Sequence, residues 1–259
     1  MSGYRVAIPC WGSPTRLLTK TLPMLLSGGV QPSVITLYVH AADPHRPEYE
    51  DIAAGVGARV VLNPGSGLRS QRALAIEDQP AGAQVVAVCD DVSALVTATD
   101  NGRLVPVVNV DRVFRSLFDE ARQANAYLWG VSPSANPRSM KGPGRGLRFV
   151  FGSLYGYVNR PGHPANRLTT SYKEDYERSL MHWHHDGLVY RNTHYALRTQ
   201  IRQASGGIGR TQARWDAEQA ESAALVAAWP GLVRMNDRRA SGFPEILLAA
   251  KKPKEPATP

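Results

Sequence analysis

The stretch Gln84–Asp91, QVVAVCDD, is an apolar run that stops on two adjacent aspartates. The run Val85–Cys89 has the length of a buried β-strand. Two carboxylates would be costly to bury in such a strand without a cation beside them. Two neighbouring carboxylates repel each other and resist joint ionisation unless a cation lies between them. We therefore expect Asp90 and Asp91 to hold a divalent ion such as Mg²⁺ or Mn²⁺ at a strand end. An exposed acidic turn is the alternative interpretation.

The sequence before this stretch alternates short apolar runs with helical patterns. It predicts strands at Arg5–Pro9, Val34–Val39 and Ala58–Leu62, and helices at Pro14–Leu26, Pro47–Ala54 and Leu68–Glu77. Short strands separated by helices imply βαβ crossovers. The predicted fold class is therefore α/β, with a mostly parallel central sheet and helices on both faces. In such a sheet, ligands bind beyond the carboxyl ends of the strands, where Asp90 and Asp91 stand.

The pattern changes after Asp91, but no composition shift marks a linker. It predicts helices at Val110–Ala124, Tyr172–Trp183 and Gln212–Trp229, and strands at Ala126–Val131, Leu147–Val158 and Leu188–Thr193. We therefore expect one fused unit. The Pro- and Lys-rich tail, residues 251–259, is predicted to be disordered.

The composition is that of a soluble globular protein, with 43% hydrophobic and 20% charged residues in a chain of 259. No run reaches the roughly 18 apolar residues of a membrane span, so no membrane partner is expected. Cys10 and Cys89 are the two cysteines of the chain, which excludes a disulfide scaffold. A reducing, cytoplasmic location is the expectation.

The net charge of +8 is concentrated in one segment. Between Ala121 and Lys173 there is no Asp or Glu, whereas the eight basic residues are Arg122, Arg138, Lys141, Arg145, Arg148, Arg160, Arg167 and Lys173. The rest of the chain then holds 30 − 8 = 22 basic residues against 22 acidic ones. Such segregation indicates a polyanionic partner, with nucleic acid as the first candidate.

Several stretches resemble a known family. The order of RVAIPCWGSPTRLLTKTLPMLL, GLRSQRALA and VVAVCDD resembles the nucleotide-sugar half of GT-A glycosyltransferases. More narrowly, RFVFGSLYGYVNR, SYKEDYERSLMHWHHDGLVYRN and GGIGRT resemble the TET/JBP-associated glycosyltransferases of phages. The resemblance covers roughly residues 4–250. It implies an enzyme that moves a sugar from a nucleotide-sugar donor to a hydroxymethylated pyrimidine in DNA. For a phage-encoded protein, the expected location is the cytoplasm of the host cell.

The resemblance also divides the chain and assigns the donor site. Residues 1–109 would bind the nucleotide-sugar, and residues 110–250 would bind the acceptor within the same domain. The implied donor contacts are Pro9, Trp11, Arg16, Arg69, Arg72, Asp90, Gly207 and Arg210. Trp11 either stacks on the base or packs against the protein, and a solvated helix face is the alternative for Arg69.

The implied metal site contains Asp91 and Asp90, with His184 or His185 joining from across the cleft. The cofactor would be a divalent cation, Mn²⁺ or Mg²⁺. The family commonly has three aspartates, or Asp-x-Asp, at this place, whereas the first position here is Cys89. That departure leaves open whether a single carboxylate carries the metal.

The resemblance places the catalytic base at the start of a late helix. In many inverting glycosyltransferases an "ED" dipeptide there supplies the carboxylate that deprotonates the acceptor, and Glu174 and Asp175 match it. Burial raises a carboxylate pKa and makes it a competent general base. Acidic residues in a first helical turn also favour the helix dipole, which is the ordinary explanation.

The acceptor would lie on the basic segment, where Arg138, Lys141, Arg145 and Arg148 are expected to contact DNA phosphates. A transferase acting on a glycan, protein or small molecule is one alternative. A nucleotidyltransferase is another, although PCWGSPTR (residues 9–16) lacks the Gly-rich signature with a Lys. A non-enzymatic DNA-binding module is the third, and it leaves Asp90 and Asp91 unexplained beside a polyanion.

Overall fold

The computed structural model describes residues 3–199, 211–236 and 244–252. The strands are β1 Arg5–Cys10, β2 Ile35–His40, β3 Arg59–Asn63, β4 Gln84–Val88, β5 Val92–Ala98, β6 Leu104–Pro106, β7 Leu128–Ser132, β8 Pro143–Gly146, β9 Leu154–Val158, β10 Val189–Thr199, β11 Val233–Met235 and β12 Ile246–Leu248. The helices are α1 Pro14–Arg16, α2 Leu22–Ser27, α3 Arg46–Val56, α4 Gly67–Asp78, α5 Val110–Gln123, α6 Glu174–Asp186 and α7 Gln212–Ala228. A π-helical segment, Leu17–Thr21, joins α1 to α2.

One large sheet runs through both halves of the chain. Its order is β3-β2-β1-β4-β9-β7-β10-β5-β6, and β8 pairs with β10 beside β5. The strands β3, β2, β1 and β4 are mutually parallel, and β7 and β10 run parallel to each other. β9, β5 and β8 run antiparallel to their neighbours. The predicted α/β class, with a mostly parallel sheet in a single unit, is confirmed.

The sheet is covered on both faces because its strands alternate their apolar side chains. Val86 and Val88 of β4 pack into the core that contains α5, whereas Val85 and Ala87 pack into the core beside α4. This period of two leaves no polar face on the central strands. The helices on both faces therefore position the carboxyl ends of β1 and β4 at one open edge of the sheet.

Several parts of the chain differ from the sequence-based expectation. The alternating aromatics of Leu147–Val158 predicted one strand, but only Leu154–Val158 is extended in the sheet, after a turn at Gly152–Ser153. The stretch Val92–Ala98, which received no prediction, forms β5. The tail was predicted to be disordered from residue 251, yet the Lys251 carbonyl accepts a hydrogen bond from the Leu147 amide at 3.0 Å. Residues 253–259 lie outside the described residues.

Candidate active site

The two aspartates lie in the turn that follows β4, at the open edge of the sheet. Thr21 fixes this turn from the end of the π-helical segment. Its hydroxyl donates to the Cys89 carbonyl at 2.8 Å and accepts from the Val92 amide at 3.1 Å. π-helical turns are often found at functional sites. The sequence analysis missed Thr21, because a threonine in a Leu-rich helix carries no signal of its own.

Asp90 is nearly buried and faces a cation rather than open solvent. The Arg16 guanidinium lies 3.6 Å from its carboxylate. Burial and the neighbouring charge of Asp91 raise the pKa of Asp90 to about 6, against the opposing effect of Arg16. Asp91 has a different partner, since its carboxylate accepts a hydrogen bond from the Thr199 hydroxyl at 2.9 Å. The two aspartates therefore have different surroundings, and the structure brings together two predicted donor contacts, Arg16 and Asp90.

The two carboxylates of Asp90 and Asp91 suit a hard divalent cation that takes few protein ligands. Within the described ranges, no group of three or more His, Cys, Asp or Glu side chains is placed to hold a metal ion. Mg²⁺ is usually held by one or two carboxylates together with substrate phosphates and water, and Mn²⁺ favours the same oxygen ligands. Asp91, with its oxygen donors beside those of Asp90, fits such an ion.

The loop after β1 is fixed by the β2–α3 connection and by α3. The Gly12 amide donates to the Asp43 carboxylate at 2.7 Å, and the Ser13 amide donates to the Tyr49 hydroxyl at 2.9 Å. Trp11 is 45% exposed, and its ring meets the His40 ring edge-to-face at 4.9 Å between centroids. The loop therefore offers an exposed indole beside a fixed backbone. The sequence analysis did not single out Asp43, although an Asp shortly after a strand is a recognisable turn residue.

Pro9, by contrast, is buried within β1 and lines a small internal cavity that Arg72 and Tyr155 also line. It therefore lies inside the protein, between the sheet and α4. A direct contact between Pro9 and a bound nucleotide does not follow from this position.

The two arginines of α4 have different roles in the structure. Arg69 is exposed and donates to the carbonyl of Thr169, which ties α4 to the segment before α6. Arg72 is buried, pairs with the Glu174 carboxylate and donates to the Gly152 carbonyl. The expectation that Arg72 contacts a nucleotide-sugar is not met in this arrangement, because its guanidinium is occupied inside the protein.

Glu174 is held between two guanidinium groups. Besides Arg72, it accepts a hydrogen bond from Arg178 at 2.8 Å, and its side chain is 5% exposed. The Tyr155 ring lies under both arginines, at 4.0 Å from Arg178 and 5.4 Å from Arg72. Two ion pairs engage the Glu174 carboxylate, so this geometry favours a structural role, and its predicted catalytic role stays a prediction. The network instead fastens the start of α6 to α4.

Asp175, the next residue, lies beside the loop that precedes β9. A Cβ atom built on Gly152 would lie 3.3 Å from the Asp175 Cβ, so the side chain adjoins the loop before β9. That loop is joined to the end of β4, since the Ser153 carbonyl accepts a hydrogen bond from the Cys89 amide at 2.9 Å. Burial raises the pKa of Asp175, although Arg178 and Arg72 act in the opposite direction. Asp175 therefore combines nearness to the Cys89–Asp91 turn with a raised basicity.

Two glutamates hold the segment that leads into α6. Glu177 accepts hydrogen bonds from the amides of Thr169 and Thr170, at 2.9 and 2.8 Å. Glu221 of α7 accepts from the amides of Ser171 and Tyr172, both at 2.7 Å. These contacts fix the entry to α6 and thereby the direction in which Asp175 points. Sequence reasoning could not find them, because their partners are backbone groups.

The predicted histidine ligands lie at the opposite end of α6. The His184 ring packs edge-to-face on Trp229 at 5.4 Å, and the His185 ring packs on His163 at 5.9 Å. Ten residues of helix separate Glu174 from His184, which corresponds to about 15 Å along the axis. The ring contacts give His184 and His185 packing partners at that end of α6, and the expectation that one of them ligates a metal at Asp91 stays a prediction.

The basic segment is partly neutralised by acidic residues from elsewhere in the chain. The internal ion pairs are Arg122–Asp119, Arg160–Asp186 and Lys173–Glu218. The four predicted DNA contacts form no ion pair with any residue of the described ranges; they are Arg138, Lys141, Arg145 and Arg148. The first three are exposed and Arg148 is partly buried. They follow one strip, formed by β8, the turn before it and the loop after it, which we call the basic strip.

Two predicted donor contacts cannot be placed, since Gly207 and Arg210 lie outside the described residues. Among the helices that are described, none has the length and apolarity needed to cross a membrane.

The position of Arg72 predicts a stability effect rather than a binding effect. Arg72→Met leaves Glu174 buried with one cation fewer, so we expect the free energy of unfolding to fall by about 3 kcal/mol. The matched control is Arg59→Met, whose guanidinium is half exposed beside Asp78 and should change stability by less than about 1 kcal/mol. Urea unfolding measures both variants. If Arg72→Met keeps the parental stability but binds nucleotide more weakly, Arg72 contacts the donor as the sequence analysis predicted.

Comparison with solved structures places this geometry in a known fold. TarS 1-349 from S. aureus in complex with UDP-GlcNAc superposes with a TM-score of 0.58 and 10% identity, covering 87% of this chain and 67% of that one. Glucosyl-3-phosphoglycerate synthase from Mycobacterium tuberculosis, in complex with Mn²⁺, UDP and phosphoglyceric acid, gives a TM-score of 0.53 and 11% identity, covering 95% and 86%. The chain has the GT-A fold.

The likeness extends to a further TarS 1-349 structure, of which the chain spans 66%. At these low identities the GT-A likeness establishes the fold alone. No protein-family model matches the sequence, and no curated protein matches it either.

Proposed function

We propose that this chain is a glycosyltransferase that uses a nucleotide-sugar donor. The observation that carries the proposal is Asp175, a carboxylate with raised pKa held beside the Cys89–Asp91 turn of a GT-A fold. Residues 1–109 would bind the donor, through the loop at Trp11 and through Arg16 and Asp90. Residues 110–250 would bind the acceptor. The structural neighbours with UDP-GlcNAc, or with UDP and Mn²⁺, support the donor class.

The chemistry needs one proton transfer and one displacement. Asp175 accepts the proton of the acceptor hydroxyl while the hydroxyl oxygen forms a bond to the anomeric carbon of the sugar. The bond from that carbon to the diphosphate breaks, and its electron pair leaves on the nucleoside diphosphate. Arg16, beside Asp90, supplies positive charge near the expected position of the diphosphate. Glu174, Arg72 and Arg178 keep Asp175 in place throughout.

A divalent cation held by Asp91 would offset the charge on the departing diphosphate, which is the Lewis-acid role of a metal. Asp90 would supply a second carboxylate oxygen or remain the partner of Arg16. The presence of Cys89 at the first position limits the protein ligands in this turn to these two carboxylates.

For the acceptor, we propose a hydroxymethylated pyrimidine in DNA, in a phage-encoded modification system. The basic strip supports this choice, because its four cations have no acidic partner within the described residues. Cations that the protein does not neutralise are suited to phosphates. The direct test is incubation with Mn²⁺, a panel of nucleotide-sugars and duplex DNA that contains 5-hydroxymethylcytosine or 5-hydroxymethyluracil. Mass spectrometry of the digested DNA should show a hexose or pentose on the modified base.

A small phosphorylated acceptor is the second candidate. It is favoured by the likeness to the synthase crystallised with phosphoglyceric acid, over 95% of this chain. Phosphate groups occur in both acceptors, so a basic surface alone does not separate them. Sugar transfer to 3-phosphoglycerate, without transfer to any DNA, would select this candidate.

The DNA proposal predicts a change in salt dependence. Neutralising Arg138, Lys141, Arg145 and Arg148 together should weaken DNA binding and reduce the slope of log K against log salt by roughly one unit for each phosphate that the variant no longer neutralises. Donor hydrolysis without acceptor should survive, because the donor half lies elsewhere. A control with four exposed arginines neutralised outside the strip, at Arg5, Arg103, Arg112 and Arg122, should keep the slope. Equal DNA affinity of the strip variant and the parent at every salt concentration would show that the basic strip is not the DNA-binding surface, and absence of DNA binding by the parent at low salt would exclude DNA as the acceptor.

A further inference from the structure

Two arginines lie side by side at the edge of the candidate acceptor site. In the β8–β10 ladder, Arg191 stands opposite Gly144. A Cβ atom built on Gly144 would lie 3.4 Å from the Arg148 Nε, so the Arg148 side chain passes directly over that position. Arg191 is anchored by a hydrogen bond from its Nη1 to the Phe149 carbonyl at 3.0 Å. The ladder and the loop after β8 therefore bring two guanidinium groups together.

These two cations have no acidic partner within the part of the chain that the structure describes. Arg191 is mostly buried, and its burial together with the nearby Arg148 lowers its pKa. Elsewhere in the protein, buried cations are paired, as Arg72 is with Glu174 and Lys173 is with Glu218. A pair of neighbouring cations removed from water is costly unless an anion offsets the charge. The pair therefore has the electrostatic character of an anion site.

The surroundings of the pair connect it to Asp175. The Phe149 ring stacks on the Tyr176 ring, with centroids 4.2 Å apart and an angle of 29°. Tyr176 follows Asp175 in the first turn of α6, and its amide donates to the Asp175 carboxylate at 2.9 Å. The Phe151 ring lies 6.3 Å from Phe149. Phe149 is half-buried and belongs to none of the described hydrophobic clusters.

We propose that Arg148 and Arg191 form a phosphate-binding subsite for the acceptor, beside an aromatic shelf made of Phe149 and Tyr176. The inference rests on the proposed function, and it adds Arg191 and the shelf to it. Guanidinium groups are planar donors that match phosphate oxygens in a bidentate manner. The shelf offers a ring face on which a planar base or the apolar side of a small acceptor packs. A phosphate fixed at the pair would place the adjoining hydroxyl toward Asp175.

The phosphate has two chemical sources, and matched probes separate them. The first pair of probes is 5-hydroxymethyl-2′-deoxycytidine and its 3′,5′-bisphosphate; the second pair is glycerate and 3-phosphoglycerate. Inorganic phosphate serves as the probe for the group alone. Calorimetry measures binding of each to the parent, to Arg148→Gln and to Arg148→Gln/Arg191→Gln. The charge-matched control is Arg5→Gln/Arg122→Gln, which removes two exposed cations outside the basic strip.

The parent should bind the phosphorylated member of at least one pair more tightly than the unphosphorylated member. In the double variant, the ratio of these two affinities should fall by about tenfold or more. Loss confined to the nucleoside pair identifies a nucleic-acid phosphate, and loss confined to the glycerate pair identifies a phosphomonoester of a small acceptor. The control should keep the parental preference. If Arg191→Gln prevents folding, Arg148→Gln alone decides, because the Arg148 side chain makes no hydrogen bond among the described residues that its removal would break.

The subsite is overturned if the parent shows no preference for phosphate in either pair and does not bind inorganic phosphate. It is also overturned if the arginine variants keep the preference, or if the control loses it equally. Donor hydrolysis is measured separately with nucleotide-sugars. Its failure in the parent would reject the glycosyltransferase proposal, whereas the binding comparison does not depend on turnover.

Discussion

Asp175→Asn should lower the rate of sugar transfer by about 10²- to 10⁴-fold while the affinity for the donor stays near that of the parent. The variant keeps an oxygen that can accept from the Tyr176 amide, as the carboxylate does at 2.9 Å, but the amide does not accept the acceptor proton. Single-turnover kinetics with saturating donor measure the effect on chemistry. A change in KM alone would show that Asp175 orients a substrate or caps the helix.

The stability of this variant provides a second measurement. Burial raises the pKa of Asp175, so the folded protein favours the protonated carboxyl over the ionised carboxylate. The protonated carboxyl stabilises the folded state at low pH, and this contribution is lost as the pH rises through the pKa of the folded state. Asp175→Asn should therefore be as stable as the parent at neutral pH, or more stable. Glu174→Gln provides the contrast, because it weakens the pairs with Arg72 and Arg178 and should lower the unfolding midpoint. Loss of folding in Asp175→Asn would assign it to the structural network instead.

The second large effect is expected for Asp91→Asn. Removing the carboxylate that we propose to bind the metal should lower transfer by about 100-fold or more and abolish the Mn²⁺ dependence of nucleotide binding, since a metal supplies several kcal/mol of charge stabilisation. The fold should remain, because an amide oxygen still accepts from the Thr199 hydroxyl, which lies 2.9 Å from the carboxylate. Calorimetric measurement of UDP binding with and without Mn²⁺ tests the expected loss of metal dependence.

Thr199→Val is the matched control for Asp91→Asn. It removes the hydroxyl that contacts Asp91 but keeps the charge of the carboxylate, so the response to Mn²⁺ should persist. If Asp91→Asn retains full activity and the parental metal response, the two aspartates are an acidic turn at the sheet edge. The alternative interpretation from the sequence would then be the correct one.

The strand end at Asp90 and Asp91 could be predicted from the sequence because both signals are local. A buried strand is recognised by its apolar run, and carboxylates that follow it at once must lie at its end. The same argument fails for Glu174 and Asp175. Neighbouring residues on a helix point about 100° apart, so one of the pair faces Arg72 and Arg178 while the other faces Gly152. The sequence contains no information on which residue takes which direction.

The remaining differences also have physical reasons. His184 and His185 follow the "ED" pair closely in sequence, but the helix between them carries them away from the turn at Asp91. The aromatic residues of Leu147–Val158 alternate as they would in a strand. Phe149 instead packs against the first turn of α6, where its ring stacks on Tyr176. Arg191 lies within a strand, and its sequence position does not indicate which side chains are near it. Its proposed role in binding phosphate depends on the β8–β10 ladder, which places it beside Arg148.

The most direct test of the central claim is diphosphate release from a panel of nucleotide-sugars, measured with Mn²⁺ and with or without hydroxymethylated duplex DNA. We predict release from at least one donor, faster in the presence of the acceptor, and lost on chelation of the metal and in Asp91→Asn. Absence of release from every donor, by a folded protein that still binds DNA, would contradict the account and leave a DNA-binding module with the GT-A fold.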